Sequence, residues 1–393
     1  MLQNKKIKYS NTHFSKLPKE KKHILILSSW YPTLNEPFLG NFVKRQAELL
    51  STKFQVTVLI TKADNAFKKR EISDKKNGFL REIIVYYPKA RTILQKILRE
   101  NKAFKKGLEL VTEVDLIHGH VLLPKGFQFI SAKKYFNCPL LVTEHGSYFR
   151  PEVKEKRTFL EKLILRNSSN KIDQLTCVSE FLKRDLQEEF PSTDIQILPN
   201  HVAIQSFKPE IKLKSKKKEF LHISTLDEQV KNPKGIIDAC LTLLQAGEVN
   251  FHLTVISDEP FQKWENYAKD HQLGEYITFL GPLAWTDLVQ YYQRSDAFIL
   301  FSSYETFSIV LAESWACGLP TITTSVGIGD NISPSLGIQI EKNNTHSLAS
   351  AMQKVIQEEI SFDPHLISAY AQQYSEQNIL LTFEKLLSNL VKQ

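Results

Sequence analysis

Two carboxylates and two histidines stand where this sequence could do chemistry. Glu305 and Glu313 lie in residues 298–323, FILFSSYETFSIVLAESWACGLPTIT. From Thr306 to Cys317 the spacing is helical, with Ile309, Ala312 and Ala316 on one side. Glu305 is then in a loop and Glu313 about two turns into a helix, roughly 12 Å away along the axis at ~1.5 Å per residue. That span suits the two ends of an extended ligand, not two carboxylates sharing one proton. The helix amides at Thr306, Phe307 and Ser308 would face any anion lying between. Glu313 has Leu311, Ala312, Trp315 and Ala316 for neighbours, and a lone carboxylate there needs a partner. His120 and His145 follow two apolar strands, 115–118 and 140–143, at the sheet edge where ligands bind in open α/β folds. A lone Glu is ordinarily solvated and a lone His ordinarily structural. Two histidines at matching strand ends make a stronger case for function.

The elements that must position these residues alternate in type. Residues 298–300 read as a strand, Gly318 and Pro320 stop the helix, and 321–323 start another strand. Strand, loop, helix, strand is the unit of a parallel α/β sheet. Earlier strands read at 23–27, 54–60, 175–179 and 195–200. Between the first strand and the helix at 42–50 runs a long loop, SSWYPTLNEPFLG, ending at Gly40. Residues 62–77 read as a charged connector. Residues 89–108, KARTILQKILRENKAFKKGL, form a basic amphipathic helix with Ile93, Leu94, Ile97, Leu98 and Phe104 as its apolar stripe. Two readings of that stripe stay open, a membrane-facing surface and a helix packed on its own sheet.

Strands recur in the second half at 220–224, 251–256, 277–280, 297–300, 320–323 and 337–340, with helical stretches between. The pattern predicts two doubly wound α/β domains facing across a cleft. The expected divisions are a disordered start at 1–20, a first domain at 21–207, a linker at 208–219, a second domain at 220–375 and a final helix at 376–393.

At 393 residues the chain exceeds one ordinary core. Its 42% hydrophobic and 24% charged residues are those of a soluble globular protein. Cys138, Cys177, Cys240 and Cys317 are scattered among apolar neighbours without a CxxC pair, which predicts reduced core thiols rather than a zinc site. The Lys-rich start has no signal-peptide core, and no apolar run approaches a membrane span. Charge is uneven. Residues 1–200 carry 36 Lys and Arg against 21 Asp and Glu, a net of +15, and residues 201–393 carry 15 against 22, a net of −7. No RNP-like aromatic pattern or zinc-finger spacing accompanies the basic residues, so an anionic membrane surface is a better partner for them than nucleic acid.

The stretch Glu305, Glu313, Ala316-Cys317-Gly318-Leu319-Pro320 resembles the signature of retaining glycosyltransferases of family 4, which have the GT-B fold. DLIHGH and VTEHG resemble that family's two histidine motifs, and LPNHVAIQSFKP its domain-closing segment, with His201 and Ala203 in place of Gly and Asp. The resemblance runs from His23 to about Gln393. It implies that His145 contacts the transferred sugar, that His120 lines the same cleft, and that Gly40 belongs to the loop over the sugar site. On the donor side it implies Glu305 orienting the sugar and Glu313 accepting from ribose hydroxyls. Lys231, in VKNPKGIIDA, and the amides at Thr306, Phe307 and Ser308 would hold the diphosphate, with Thr225 and Gly281 also beside the donor. Thr225 stands where the family has an arginine, and Thr306 and Ser308 where it has glycines.

The function so implied is sugar transfer, with retention and without a metal ion or cofactor, from a UDP- or GDP-linked sugar to a glycan or lipid-linked acceptor. Bacterial surface polysaccharide synthesis is the expected setting. The expected location is cytoplasmic, with peripheral attachment to the inner face of the plasma membrane left open. A glycosyltransferase-fold binding protein and a sugar-phosphate-processing enzyme are the other classes open.

Overall fold

A computed structural model describes residues 21–168, 170–210 and 216–391. The expected disordered start (1–20), part of the expected linker (211–215) and the last two residues lie outside the described residues.

The first sheet has eight strands: β1 (His23–Ser28), β2 (Gln55–Ala63), β3 (Glu71–Asn77), β4 (Leu80–Tyr87), β5 (Leu116–His120), β6 (Leu140–Glu144), β7 (Gln174–Cys177) and β8 (Ile195–Ile197). Their order is β3-β4-β2-β1-β5-β6-β7-β8, with every pair parallel except β3–β4. The second has six, β9 (Lys218–Ile223), β10 (Phe251–Ile256), β11 (Ile277–Leu280), β12 (Ala297–Leu300), β13 (Thr321–Thr324) and β14 (Gly337–Ile340), all parallel in the order β11-β10-β9-β12-β13-β14. Two doubly wound α/β units result.

The central strands β1, β5 and β12 are buried along their whole length because both faces are covered. All six residues of β1 are buried, and Leu25 pairs with Thr57 on one side and Ile117 on the other. The order reverses next to β1 and next to β9, and the strand-end loops there form the crevices in which such sheets hold ligands.

Four sequence expectations need correction. Residues 71–77 are not a connector but the edge strand β3, paired antiparallel with β4. Both its faces are largely exposed, so EISDKKN has no apolar alternation, and its charges blunt the open edge. The helix expected from Thr306 runs Ile309–Ala316, because Ser308 sits at φ +75° and cannot continue a right-handed turn. The basic helix runs Ile93–Leu108, started by Thr92, whose hydroxyl accepts from the Gln95 amide at 3.2 Å. Cys138 is half-buried rather than a core thiol.

The last helix, Glu376–Val391, packs on the first sheet's unit. Phe383 is fully buried, 5.7 Å from the Phe54 ring and 5.3 Å from His118. Ile379, Leu386 and Leu387 share a core with Ile24, Leu50 and Val58. Burying a Phe is worth about 1.5–3 kcal/mol, so this helix ties the two units together. No helix among the described residues is long and apolar enough to cross a membrane.

Candidate functional site

Lys231 and Glu305 meet although far apart in sequence. Asp227 starts a short helix, Glu228–Lys231, by accepting from the Gln229 and Val230 amides. Asn232, at φ +49°, ends it and caps the next helix through the Gly235 amide. This turn lies after β9. Glu305 lies after β12, the neighbouring strand, and the Ser303 amide donates to Val230 carbonyl at 2.8 Å to hold the two loops together. Lys231 Nζ stands 2.5 Å from Glu305 Oε1, which also accepts from Ser302 Oγ at 2.8 Å. Beneath them, His222 bonds Ile299 carbonyl and Ser224 Oγ, and burial pushes its imidazole down to about 4.

The amides opening the adjacent helix are those of Ile309 and Val310, not Thr306 to Ser308. First-turn amides have no partner within their own helix, so an anion is favoured here. Ser308 Oγ is buried beside them without a partner. The Phe307 ring is buried against Tyr374, which leaves only its backbone for a ligand. Its carbonyl accepts from the Ile328 amide, and Gly327, at φ +54°, permits this approach: a Cβ there would stand 2.6 Å from Phe307 O. Thr306 carbonyl accepts from Ser179 Oγ at 2.5 Å, so this loop touches the first sheet's unit. Thr225 is exposed after β9. Gly281 lies after the edge strand β11, with open space where a Cβ would stand.

Glu313 is 2% exposed and has partners on both oxygens. Tyr292 hydroxyl donates to Oε2 at 3.0 Å, and Arg45 Nη1 donates to Oε1 at 3.1 Å. Burial raises this carboxyl above its usual range, and Arg45 and Tyr292 pull it back. A carboxylate has about four acceptor positions, so two remain for a ligand's hydroxyls. Sequence reading missed Arg45 and Tyr292. Arg45 belongs to helix Asn41–Ser51 of the first unit, and no local pattern ties it to Glu313.

On the first sheet, His145 and His120 end adjacent strands, but only one reaches the cleft. His145 is 5% exposed and stacks on Phe42 at 4.4 Å. His120 is fully buried behind it, with Nδ1 3.0 Å from His145 Nε2. The expectation that His120 lines the cleft is therefore corrected: it backs His145. One nitrogen of this pair donates and the other accepts, so the tautomer of His120 fixes that of His145. Burial depresses His118, His120 (to about 3) and His145, leaving all three neutral at pH 7. His145 Nδ1, buried with no protein partner, remains for a ligand.

Glu144 shapes this strand end by accepting from the Leu122, His145 and Gly146 amides at 2.7–3.0 Å. Gly40 sits at φ +72°, where a Cβ would lie 2.5 Å from Trp30 C. Only glycine lets the loop 28–40 fold back and start helix Asn41–Ser51, which carries both Phe42 and Arg45.

Among the described residues, contacts that close the two units on each other include Arg45–Glu313, Ser179–Thr306, Tyr304 hydroxyl to Asp185 at 2.6 Å, and Arg184 with Asp330. The loop that carries Glu305 thus rests on the first unit through its neighbours Tyr304 and Thr306, while His145 ends a strand of that unit. Among the described residues, no group of three or more His, Cys, Asp or Glu is placed to hold a metal ion.

The fold has counterparts in known proteins. The family model described as Glycosyltransferase Family 4 matches residues 39–206, and the one described as Glycosyl transferases group 1 matches residues 203–374. Alpha-monoglucosyldiacylglycerol synthase of Streptococcus pneumoniae is 23% identical over 70% of this chain and 67% of its own. Sucrose-phosphate synthase of Thermosynechococcus elongatus superposes with a TM-score of 0.74 at 18% identity, over 94% of this chain and 99% of its own. Anabaena HepE in complex with UDP superposes with a TM-score of 0.67 at 16% identity, over 94% of this chain and all of its own. These solved structures share the fold.

Proposed function

The chain belongs to the family 4 glycosyltransferases, and we propose that it moves a sugar from a UDP- or GDP-linked donor to a glycan or lipid-linked acceptor. The observation that carries this reading is the Lys231–Glu305 pair beside the helix opening at Ile309, in a loop bonded to the opposite unit through Ser179. A cation and two helix amides suit a diphosphate, whose charge grows as it leaves. The UDP complex of the Anabaena neighbour supports a nucleotide diphosphate donor, and the diacylglycerol named in the S. pneumoniae relative supports a lipid-linked acceptor.

In this reading Lys231 exchanges Glu305 for the diphosphate, and Glu305 turns to a sugar hydroxyl. Glu313 accepts from ribose hydroxyls with its two remaining acceptor positions. His145 Nδ1 meets the transferred sugar, and the acceptor enters past the loop ending at Gly40. The anomeric C–O bond breaks toward the diphosphate as the acceptor oxygen bonds to the same face. The acceptor proton passes to the leaving phosphate, and the configuration is retained. No divalent ion or cofactor takes part. The setting we propose is cytoplasmic, at the inner face of the plasma membrane, in bacterial surface polysaccharide synthesis.

Purified protein mixed with UDP- and GDP-sugars tests this. A rise in melting temperature with one donor class is expected, since a ligand bound to the folded state stabilises it by mass action. Slow release of the free sugar as its α-anomer from an α-linked donor is also expected. No shift with any nucleotide sugar would refute the donor assignment. A shift without turnover would favour a binding protein, for which Thr225 in place of the family's arginine is the motive.

A further inference from the structure

Helix Ile93–Leu108 is half anchored and half bare. Its second half is held in the core: Ala103, Phe104, Gly107 and Leu108 are buried, and a Cβ on Gly107 would lie 2.4 Å from Leu59. Its first half carries Ile93 at 77% exposure, Leu94 at 68%, Ile97 at 38% and Leu98 at 52%. At this spacing they make one apolar stripe on the helix surface, and such a stripe marks an interaction site.

Its surroundings are basic. Lys89, Arg91, Lys96 and Lys102 are exposed around the stripe, and Glu100 is the only carboxylate in residues 89–108. Arg70 donates to Lys102 carbonyl at 3.2 Å, so the connector bearing Lys68 and Lys69 leans on the same helix. Arg99 is tied back to Pro88 and Lys89 carbonyls.

A second exposed apolar group stands at the same sheet edge. Leu34 and Phe38 project from the loop ending at Gly40. Asn35 donates to Asp64, which follows β2 and whose amide bonds Tyr87 at the end of β4. Pro88 to Thr92 leads from that strand end into the basic helix. Both patches therefore lie at the carboxyl edge of the first sheet, the edge that also carries His145.

We propose that Ile93, Leu94, Ile97 and Leu98, with their collar of Lys and Arg, form a docking surface for an anionic lipid bilayer. Phe38 and Leu34 enter the same interface, which places the carboxyl edge of the first sheet at the membrane. Bare aliphatic tips ringed by long cationic side chains fit the boundary between headgroups and acyl chains, where the cations reach lipid phosphates and the tips leave water. Nucleic acid would satisfy the cations and leave the aliphatic stripe in water. The inference deepens the reading of the first unit as the acceptor side and rests on it for its meaning, but its test needs no donor.

The full chain is sedimented with phosphatidylcholine vesicles, with and without phosphatidylglycerol. Wild type is expected to pellet only with the anionic vesicles, and much less at about 1 M salt, where the Debye length is ~3 Å. Changing Lys89, Arg91, Lys96 and Lys102 to Gln should lower partitioning by roughly 10²–10³-fold. Ile93→Ser with Leu94→Ser should also release the protein at moderate salt. All six side chains are exposed, so the nucleotide-sugar melting shift should survive in both variants, which separates this outcome from failure of the donor assignment. Wild type left in solution with anionic vesicles at low salt would overturn the proposal. So would undiminished pelleting of the Ile93/Leu94 variant, which would mean adsorption by charge alone. A wild-type dimer that Ile93→Ser dissolves would overturn it in favour of a second copy of the chain.

Discussion

Arg45 Nη1 lies 3.1 Å from Glu313 Oε1, an ion pair between helices of opposite units. Its acidic member is buried and its basic member about one-third exposed. Glu313 pays desolvation that Arg45 and Tyr292 partly offset, so the carboxylate stays a usable acceptor only while they remain. Arg45→Gln should push the Glu313 carboxyl further up. Donor affinity should fall about 10- to 100-fold, the worth of a hydrogen bond to a charged group at ~1.5–3 kcal/mol. Because the lost acceptor is the ionised form, affinity should recover as pH rises, and Arg45→Lys should retain most of it. Calorimetric titration with UDP across pH decides this. A pH-independent loss would mean that Arg45 acts by packing alone.

Tyr292→Phe keeps the ring, which packs on Phe207 and Phe298, and removes the hydroxyl from Glu313 Oε2. Leaving a buried acceptor short of one donor costs about 1–3 kcal/mol. Urea unfolding should report that loss with an unchanged m-value, since the surface buried is the same.

The three first-unit histidines make a pH prediction with a definite sign. Each has a folded-state pKa below the ordinary 6.5 because burial disfavours the imidazolium. Below pH 6.5 the unfolded chain takes up protons that the folded chain refuses, so stability falls as pH falls. The loss continues to about pH 3 for His120. Each group contributes a slope of up to ~1.4 kcal/mol per pH unit. His118→Gln should remove one such share from the slope between pH 6 and about 4.5, whatever it does to overall stability. An unchanged slope would mean that His118 is charged in the folded protein.

What could be read from the sequence followed burial and local pattern. The run 251–256 is a strand at those same bounds, because buried Phe251, Leu253 and Val255 alternate with half-buried His252 and Thr254. β3 escaped notice because an edge strand exposed on both faces leaves no periodicity. The helix start slipped from Thr306 to Ile309 because a left-handed serine is invisible to helical spacing. Glu313 was seen to need a partner, but Arg45 could be found only in three dimensions. His120 and His145 look alike as strand ends, and only packing shows that one stands behind the other. The amphipathic stretch left its two readings balanced; the structure packs its second half into the core and leaves Ile93, Leu94, Ile97 and Leu98 exposed.

Transfer should proceed without a divalent ion. In the proposed reading, Lys231 and the amides at Ile309 and Val310 take the diphosphate charge that a metal would otherwise take. Excess chelator should leave the initial rate unchanged in a working assay. A complete loss restored by magnesium or manganese would count against that assignment.

The Lys231–Glu305 contact predicts a division of labour that kinetics can separate. If Lys231 stabilises charge that grows on the leaving diphosphate, Lys231→Ala should lower kcat by roughly 10²-fold or more, as removal of comparable groups does. Donor KM should change less, because the ground-state diphosphate keeps the helix amides. Glu313→Ala should do the reverse, raising donor KM with a small effect on kcat, since a ribose contact is equal in ground and transition states. Glu305→Gln keeps the shape of the loop and the bond from Ser302 but frees Lys231 from its ion pair. If sugar orientation needs the Glu305 carboxylate, kcat should fall in this variant although Lys231 is more available to the donor. If Glu305 only holds Lys231 until the donor arrives, the variant should bind donor more tightly at unchanged kcat. Steady-state kinetics of the three variants, each checked by the UDP melting shift, distinguish these cases. Unchanged turnover in Lys231→Ala would show that the diphosphate lies elsewhere in the cleft.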